Sequence, residues 1–143
     1  MLYASQQDLV DRFGEQELVQ LTDKVNRPAS AIDPTPIARA LTDATALIDS
    51  YVGKLYRLPL SNVPAILVKY ACDIARYYLH GKAAEKDDAI TRAFTEAQKW
   101  LEGVSNGLVT LEAAGVVAPQ TGGGSVRAVA ANRVFTRDSL RHL

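Results

Sequence analysis

The sequence predicts an all-α protein: a small bundle of three long and two short helices with an extended, glycine-linked C-terminal tail. Apolar residues recur at intervals of three and four through three stretches, about 33–56, 64–81 and 87–106. This is the spacing of one face of an α-helix, so each stretch is predicted to be one long amphipathic helix. The helical periodicity ends near residue 106, and the bundle domain is predicted to end at residue 111.

Two short helices are predicted ahead of the long ones. Ser5 is expected to cap the first helix because Asp8, three positions later, completes a capping-box-like pair, and Gly14 is expected to end it. The second is predicted over about 15–21, and 23–33 is predicted to be a surface loop because it is rich in turn formers. The apolar residues assigned to the core from these helices are Leu9, Val10, Phe13, Leu18, Val19 and Leu21.

Local signals set the limits of the long helices. Asp33 and Pro34 supply the cap and first turn of the first helix, and Pro64 begins the second. Gly81 and Gly107 are expected to end the second and third. The predicted core faces are Ile37, Ala40, Leu41, Ala44, Ile48, Tyr51, Val52 and Leu55; Ile66, Leu67, Tyr70, Ala71, Ile74, Ala75, Tyr78 and Leu79; and Ile90, Ala93, Phe94, Ala97, Trp100, Leu101 and Val104.

The sequence changes character after this bundle domain, 1–111. LVTL, at 108–111, is compatible with a brief extended piece, and 112–125 contains a proline and a run of three glycines, which is typical of a flexible linker. A basic docking tail is predicted over 126–143. Fully extended at about 3.3 Å per residue, 119–143 spans on the order of 80 Å, so the tail can reach past its own protomer.

Charge also divides the chain in two. Residues 1–125 hold 12 basic and 15 acidic side chains, net −3, whereas the tail holds four arginines and one aspartate, net +3. Opposite charges steer encounter and fix register. The tail is therefore predicted to dock on an acidic surface of its own protomer, of a copy or of a partner. A solvated tail without a docking site is the alternative.

Composition excludes several classes of protein. A hydrophobic content of 48% with 22% charged residues is typical of a globular domain, and no apolar run reaches the 18 residues of a membrane span. The first ten residues lack the basic and apolar regions of a secretory signal. We therefore expect a protein that is assembled in a cytoplasm and has no membrane partner.

No catalytic centre, cofactor or metal site is predicted, and we expect no enzyme. Cys72, the single cysteine, lies on a largely apolar stretch, which favours a packed core thiol over a nucleophile. Two histidines are too few for a His-rich metal site, and the glycine run lacks the Gly-Lys-Ser/Thr of a phosphate loop. Carboxylate pairs such as Asp8 with Asp11 fall on polar helix faces, where solvation is favoured over acid–base catalysis. Asp73 is assigned an ion pair with Arg76.

The tyrosines cluster on one predicted helix and around the turn before it. Tyr70, Tyr77 and Tyr78 lie on the helix, and we interpret them as packing residues with their hydroxyl groups at the rim. The alternative is a stacking platform for single-stranded nucleic acid, which requires basic residues interleaved on the same face. Only Lys69 and Arg76 are nearby, so packing is favoured.

Three segments carry a family resemblance: YASQQDLVDRFGEQELVQLTD at 3–23, ARALTDATALIDSYVGKLYRLPLSNVPAILVKYACDIARYYLH at 38–80 and FTRDSLRHL at 135–143. The most specific parts are D-L-x-x-R-F-G at 8–14 and I-D-S-Y-x-x-x-x-Y-x-L-P-L at 48–60. With these segments the chain resembles the Mu-type phage head–tail connector family, the small helical neck proteins of long-tailed bacteriophages and prophages.

The resemblance implies a structural virion protein, a head–tail connector or adaptor that forms a ring beneath the portal and joins the capsid to the neck and tail. The implied partners are the portal protein, the next neck or tail-completion protein, and copies of the chain in a homo-oligomeric ring, commonly twelvefold. Genomic DNA would pass through the channel without sequence recognition. The implied location is the neck of the virion, assembled in the bacterial host cytoplasm.

Within this hypothesis the tail binds the portal or the neighbouring subunit. Phe135 and Leu140 are predicted to be its apolar anchors, with arginines as charges at the rim. The predicted partner-binding residues are Arg133, Phe135, Arg137, Leu140 and Arg141.

A small DNA-binding regulatory protein that uses the arginine tail is the main alternative, and a helical enzyme subunit is the third. Overall neutrality and the lack of a recognition helix rich in Arg, Asn and Gln count against the regulator. The lack of a ligand or nucleophile cluster counts against the enzyme subunit. Lys54, Arg57 and Lys69 stay unassigned between the channel and the exterior of a ring.

Overall fold

The stretches with helical spacing fold as helices. The computed structural model of the chain describes residues 1–85 and 88–111. The elements are α1 (Gln6–Phe13), α2 (Glu15–Thr22), α3 (Pro34–Val52), α4 (Ala65–His80), a 3₁₀ turn (Gly81–Ala83) and α5 (Ala89–Ser105). Three long and two short helices confirm the predicted all-α bundle. Residues 108–111 form no strand, and no strand occurs elsewhere in the two described ranges.

The predicted junction between the short helices is confirmed. The Ser5 hydroxyl accepts a hydrogen bond from the Asp8 backbone N–H at 3.3 Å, and the Asp8 carboxylate accepts one from the Ser5 N–H at 2.7 Å. Gly14 ends α1 with φ at +88°, a conformation in which a side chain would be strained. The chain can therefore turn directly from α1 into α2.

Only part of the core face predicted for α2 is correct. Leu18 is fully buried, but Val19 and Leu21 are only partly buried, and Thr22 is buried instead. The Thr22 hydroxyl donates to the Leu18 carbonyl at 2.7 Å and accepts from the Asp33 N–H at 3.0 Å. A pattern of apolar residues misses this position, because here hydrogen bonds satisfy a buried polar group.

Two helix limits differ from the prediction. α3 ends at Val52 rather than near residue 56, because the chain turns at Gly53. A Cβ at Gly53 would lie 2.8 Å from the Asp49 carbonyl and 3.1 Å from the Leu58 side chain, so the close return of the chain needs glycine here. α5 begins at Ala89 with Asp88 before it, whereas residue 87, its predicted start, lies outside the described residues.

α4 lies at the centre of the bundle and contacts every other helix. Leu67 and Ile74 of α4 are fully buried, together with Ile48 of α3 and Leu101 of α5. Each such side chain contributes roughly 1.5–3 kcal/mol relative to an exposed one. Ile66, which was assigned to this face, is exposed, so the buried face of α4 begins one residue later than predicted.

Candidate interaction surface

The predicted partner-binding residues, Arg133, Phe135, Arg137, Leu140 and Arg141, lie outside the described residues, as do the linker at 112–125 and the whole tail at 126–143. The described residues define the point at which the linker begins and the surfaces on which a tail can dock.

The end of the described chain is held firmly on the bundle. Gly107 has φ at +75° after α5, and the Leu108 N–H donates to the Gly103 carbonyl at 2.9 Å, which closes the helix. Leu111 is buried, and its backbone N–H donates to the Tyr56 hydroxyl at 2.9 Å. The linker therefore begins at a fixed point beside Tyr56.

A cleft of about 240 Å³, which we call the N-terminal cleft, includes Leu58, two residues after Tyr56, in its lining. Its lining residues are Met1, Tyr3, Asp49, Leu58, Pro59 and Leu60. The N-terminal segment is held there by Tyr3, whose hydroxyl donates to the Asp49 carboxylate and whose N–H donates to the Thr45 hydroxyl at 3.5 Å. Burial and the neighbouring carboxylate raise the pKa of the Tyr3 phenol well above its ordinary value.

The N-terminal cleft combines apolar walls with one acidic group. Leu58, Pro59 and Leu60 form the apolar part, and Asp49 is the only charged side chain among its lining residues. A carboxylate offers about four acceptor sites, so Asp49 can bind a cation while it accepts the Tyr3 hydrogen bond. The volume lies below the roughly 300–1,000 Å³ of small-molecule sites, which suits one or two side chains better than a cofactor.

Two other clefts in the described ranges have a different electrostatic character. Lys24 and Arg39 accompany Asp43 in a cleft between α2, α3 and α4. Arg92 and Lys99 accompany Glu96 along α5. Because each already contains two cations, neither offers the acidic surface that a basic tail requires.

The assigned pair of Asp73 with Arg76 is wrong. Asp73 pairs with Lys69, one helical turn earlier, at 3.1 Å. Arg76 instead reaches α2, where its guanidinium binds both carboxylate oxygens of Glu17 at 2.6 and 2.9 Å. The same guanidinium lies 4.3 Å from the centre of the Phe13 ring, and His80 approaches Glu17 at 3.4 Å. This cluster joins both short helices to α4.

The aromatic residues pack against one another between α4 and α5. Tyr70 is buried with its ring centre 4.9 Å from that of Trp100, and Tyr77 stacks on Phe94 at 4.1 Å. These contacts support the packing interpretation. The two long helices are held together by ring contacts as well as aliphatic side chains.

The candidate reactive groups are in environments that suppress reaction. Cys72 is fully buried, and burial raises the pKa of its thiol to about 11, which keeps it protonated and supports the core interpretation. Hydrogen bonds from Ser5 lower the pKa of Asp8, the opposite of what a general acid needs. Within residues 1–85 and 88–111, no group of three or more His, Cys, Asp or Glu is placed to hold a metal ion. None of the helices described is long and apolar enough to cross a membrane.

The N-terminal cleft does not follow from local sequence patterns, because 46 positions separate Tyr3 from Asp49. One signal was nevertheless present. The family-specific segment at 48–60 supplies Asp49 together with all three apolar wall residues at 58–60.

Comparison with known proteins identifies the family. The family model described as Bacteriophage Mu, Gp36 matches residues 3–128. The Mu-like prophage FluMu protein gp36 of Haemophilus influenzae is 35% identical over 111 residues, which cover 78% of this chain and 76% of that protein. Gene product J of Escherichia phage Mu is 34% identical over 110 residues, or 75% and 74% of the two chains. The family match extends through the helical bundle, and the chain belongs to the bacteriophage Mu Gp36 family.

Proposed function

We propose that this chain is a structural virion protein, a head–tail connector that forms a ring beneath the portal and joins the capsid to the neck and tail. In this role it has no catalytic function. Its partners are the portal protein, the next neck or tail-completion protein and further copies of the chain in a twelvefold ring. Genomic DNA passes through the channel of that ring without sequence recognition.

The observation that carries the proposal is the opposite charge of two parts of one chain. The part up to residue 125 is net −3 and the tail is net +3. Leu111 fixes the start of the linker on the bundle, so each tail is presented from a defined point. Membership of a phage Mu family supports assembly with other phage proteins. A rigid body that carries a long basic arm is suited to joining neighbours.

A ring turns a weak tail into a strong joint. A single short segment that becomes ordered on binding has a low affinity. A dozen or so tails presented together bind at high effective concentration once the first has docked, so the assembly holds more tightly than any single contact. Many tails together can therefore hold the connector on the portal, although each tail has only 18 residues.

Light scattering of the protein alone, and after mixing with the portal protein of the same phage, tests the proposal. We expect a defined ring on the portal, and no joining by a chain truncated after Gly124. Circular dichroism of the truncated chain should match that of the full chain, which separates loss of docking from loss of folding. Ring formation on the portal by the truncated chain would contradict the role proposed for the tail.

Duplex DNA distinguishes the regulatory alternative. A tail that neutralises several phosphates loses affinity steeply as salt rises, whereas a tail anchored by Phe135 and Leu140 loses much less. No interaction with the portal, combined with a salt-sensitive shift on duplex DNA, would overturn the connector proposal in favour of a regulator.

A further inference from the structure

We propose that the N-terminal cleft is the receptor for the tail of a neighbouring copy, and that it takes Phe135 with one of the flanking arginines, Arg133 or Arg137. This inference rests on the proposed function, because it names the surface through which adjacent subunits of the ring hold one another. The occupant is segment 133–137 of a second copy of this chain.

The chemistry of the cleft matches that segment. The aromatic ring of Phe135 can pack against the apolar wall formed by Leu58, Pro59 and Leu60. Residues two apart lie on the same face of an extended segment, so Arg133 and Arg137 can enter on the same side as Phe135. An arginine there can bind Asp49 through a charge-assisted hydrogen bond. Met1, at the edge of the cleft, is 69% exposed, and its flexible thioether can adapt to an incoming ring.

Charge selects this cleft over the others. Asp49 is its only charged side chain, and the ion pairs of the described residues do not include it. The other two clefts contain Lys24 with Arg39, and Arg92 with Lys99, which repel a segment that carries arginines. Among the side chains that line these three clefts, Asp49 is therefore the only carboxylate without a lysine or arginine in the same lining.

The length of the linker favours a neighbouring copy over the same copy. Leu111 binds Tyr56, which is two residues before Leu58 on the wall of the cleft, so closure within one chain requires only a short connection. Instead, 21 residues separate Leu111 from Arg133. For 21 residues with the composition of a flexible linker, the expected r.m.s. span is about 25 Å. A domain of this size is on the order of 30–35 Å across. Effective concentration is highest where the linker length matches the span, so a connection of this length favours a site about one domain away over a site close to its own start.

This contact is directional, so it can close a ring when the rotation between subunits allows closure. The tail of one copy binds the cleft of the next, which is a head-to-tail interface that repeats with one rotation between subunits. Each subunit docks its own tail on one neighbour and binds the tail of the other neighbour in its cleft. The connection stays intact even if adjacent bundles bury little surface against each other.

Disulfide cross-linking between two different variants tests the inference. One full-length chain carries Leu2→Cys, at an exposed residue between Met1 and Tyr3 of the cleft, and another carries Val134→Cys, beside Phe135. The native Cys72 is fully buried and gives little background. The two chains are mixed under mild oxidation, alone at high concentration and with the portal protein. We expect a disulfide between the cysteine introduced at position 2 of one chain and the cysteine introduced at position 134 of the other, identified by mass spectrometry.

Three substitutions added to the Leu2→Cys chain show whether the cleft causes this reaction. Asp49→Asn should lower the rate of cross-linking about tenfold, the loss expected for one hydrogen bond to a charged group. Asp43→Asn removes the same charge from the other cleft on α3 and should leave the rate unchanged. Tyr3→Phe removes the hydroxyl bound to Asp49 but keeps the carboxylate, and it should also cross-link normally. Equal loss in Tyr3→Phe and Asp49→Asn would mean that only the fold of the N-terminal segment matters, and would overturn the inference.

A chain that carries both cysteines distinguishes the source of the tail. Closure within this double variant, without bonds between the two single variants, would show that each cleft takes its own tail and would overturn the inference. No disulfide in either experiment would also overturn it. Light scattering with the portal separates this result from the proposed function: a ring on the portal without cross-linking leaves the connector role intact, whereas cross-linked copies that do not bind the portal contradict that role.

Discussion

The three long helices and the two short ones are held in the same bundle by different forces. α3, α4 and α5 meet through fully buried aliphatic side chains such as Ile48, Leu67 and Leu101. α1 and α2 each place one fully buried apolar side chain in the core, Leu9 and Leu18. Val10 and Phe13 add partly buried apolar contacts, and polar contacts such as the Glu17–Arg76 pair complete the attachment of the short helices. The long helices therefore depend on apolar burial, and the short helices depend also on named hydrogen bonds and ion pairs.

The polar attachment joins residues that are far apart in the sequence. Glu17 and Arg76 are 59 positions apart, and Tyr3 and Asp49 are 46 apart. A side chain on α4 thus orients α2, and one on α3 orients the N-terminal segment that forms a wall of the cleft. The proposed docking surface lies where this N-terminal segment meets α3 and the 58–60 turn, and the stability of the fold comes mainly from the apolar core of the long helices.

The largest expected effect comes from the apolar part. Leu67→Ala removes a fully buried side chain from α4 and should lower the free energy of unfolding by about 2–5 kcal/mol. Ile66→Ala, at the adjacent residue that is 37% exposed, should cost much less. Chemical denaturation of the two variants measures the difference. Equal losses would mean that the buried face of α4 begins at Ile66, as the sequence predicted.

Alkaline pH should lower the stability of the apolar core, because it favours ionisation of the buried Cys72 thiol. Burial raises the pKa of this thiol from 9.0 to about 11, so between these values the unfolded chain loses a proton that the folded chain keeps. Stability should therefore be complete below pH 9 and fall by about 2–3 kcal/mol as pH rises to 11.

Denaturation of the wild type and of Cys72→Ala across this pH range isolates the contribution of the thiol, because the tyrosines titrate in both proteins. The difference in stability between the two proteins should shrink as pH rises. A difference that stays constant would show that Cys72 ionises equally easily in both states.

The sequence predicts the long helices well because their core faces follow a local spacing. Leu67, Tyr70, Ala71, Ile74 and Ala75 repeat at three and four, and all are buried as expected. Capping follows from neighbouring residues in the same way, as Ser5 with Asp8 confirms. The end of α3 was misplaced because the apolar spacing continues to Leu55, whereas the chain already turns at Gly53. Gly53 is required by the return of Leu58, and Leu55 still packs on the core from the turn.

The candidate site is harder to predict because it depends on contacts across the fold. Arg76 has Asp73 three residues before it, and local spacing favoured that pair, yet the guanidinium binds Glu17 on another helix. The N-terminal cleft likewise exists only after α3 and the 58–60 turn bring Asp49 next to Tyr3. The opposite net charges of the bundle and the tail follow from the sequence, whereas the position of an acidic docking cleft does not.

Among the polar contacts that attach the short helices, those of Arg76 should contribute most to stability, so Arg76→Ala should have the largest effect. It removes the bidentate pair with Glu17 and the contact with the Phe13 ring, both partly buried, and should cost about 1–2 kcal/mol. Lys69→Ala removes a more exposed pair within α4 and should cost less than about 0.5 kcal/mol. Hydrogen exchange should show that Arg76→Ala loosens α2 before α4. Uniform loosening of all helices would instead show that α1 and α2 unfold together with the apolar core.

The smallest expected effect concerns the cap of α1. Ser5→Ala removes the side-chain acceptor for the Asp8 N–H and should cost about 1 kcal/mol at neutral pH. Ser50→Ala, on the exposed side of α3, also loses a hydroxyl but should be neutral or slightly stabilising, because alanine favours the helix interior. Hydrogen bonds from Ser5 lower the pKa of Asp8, so the capping contribution is complete above the unfolded pKa and is lost as pH falls through the folded value. The cost of Ser5→Ala should therefore shrink in acid. If it stays the same after Asp8 is protonated, the hydroxyl caps α1 without the reciprocal bond from Asp8.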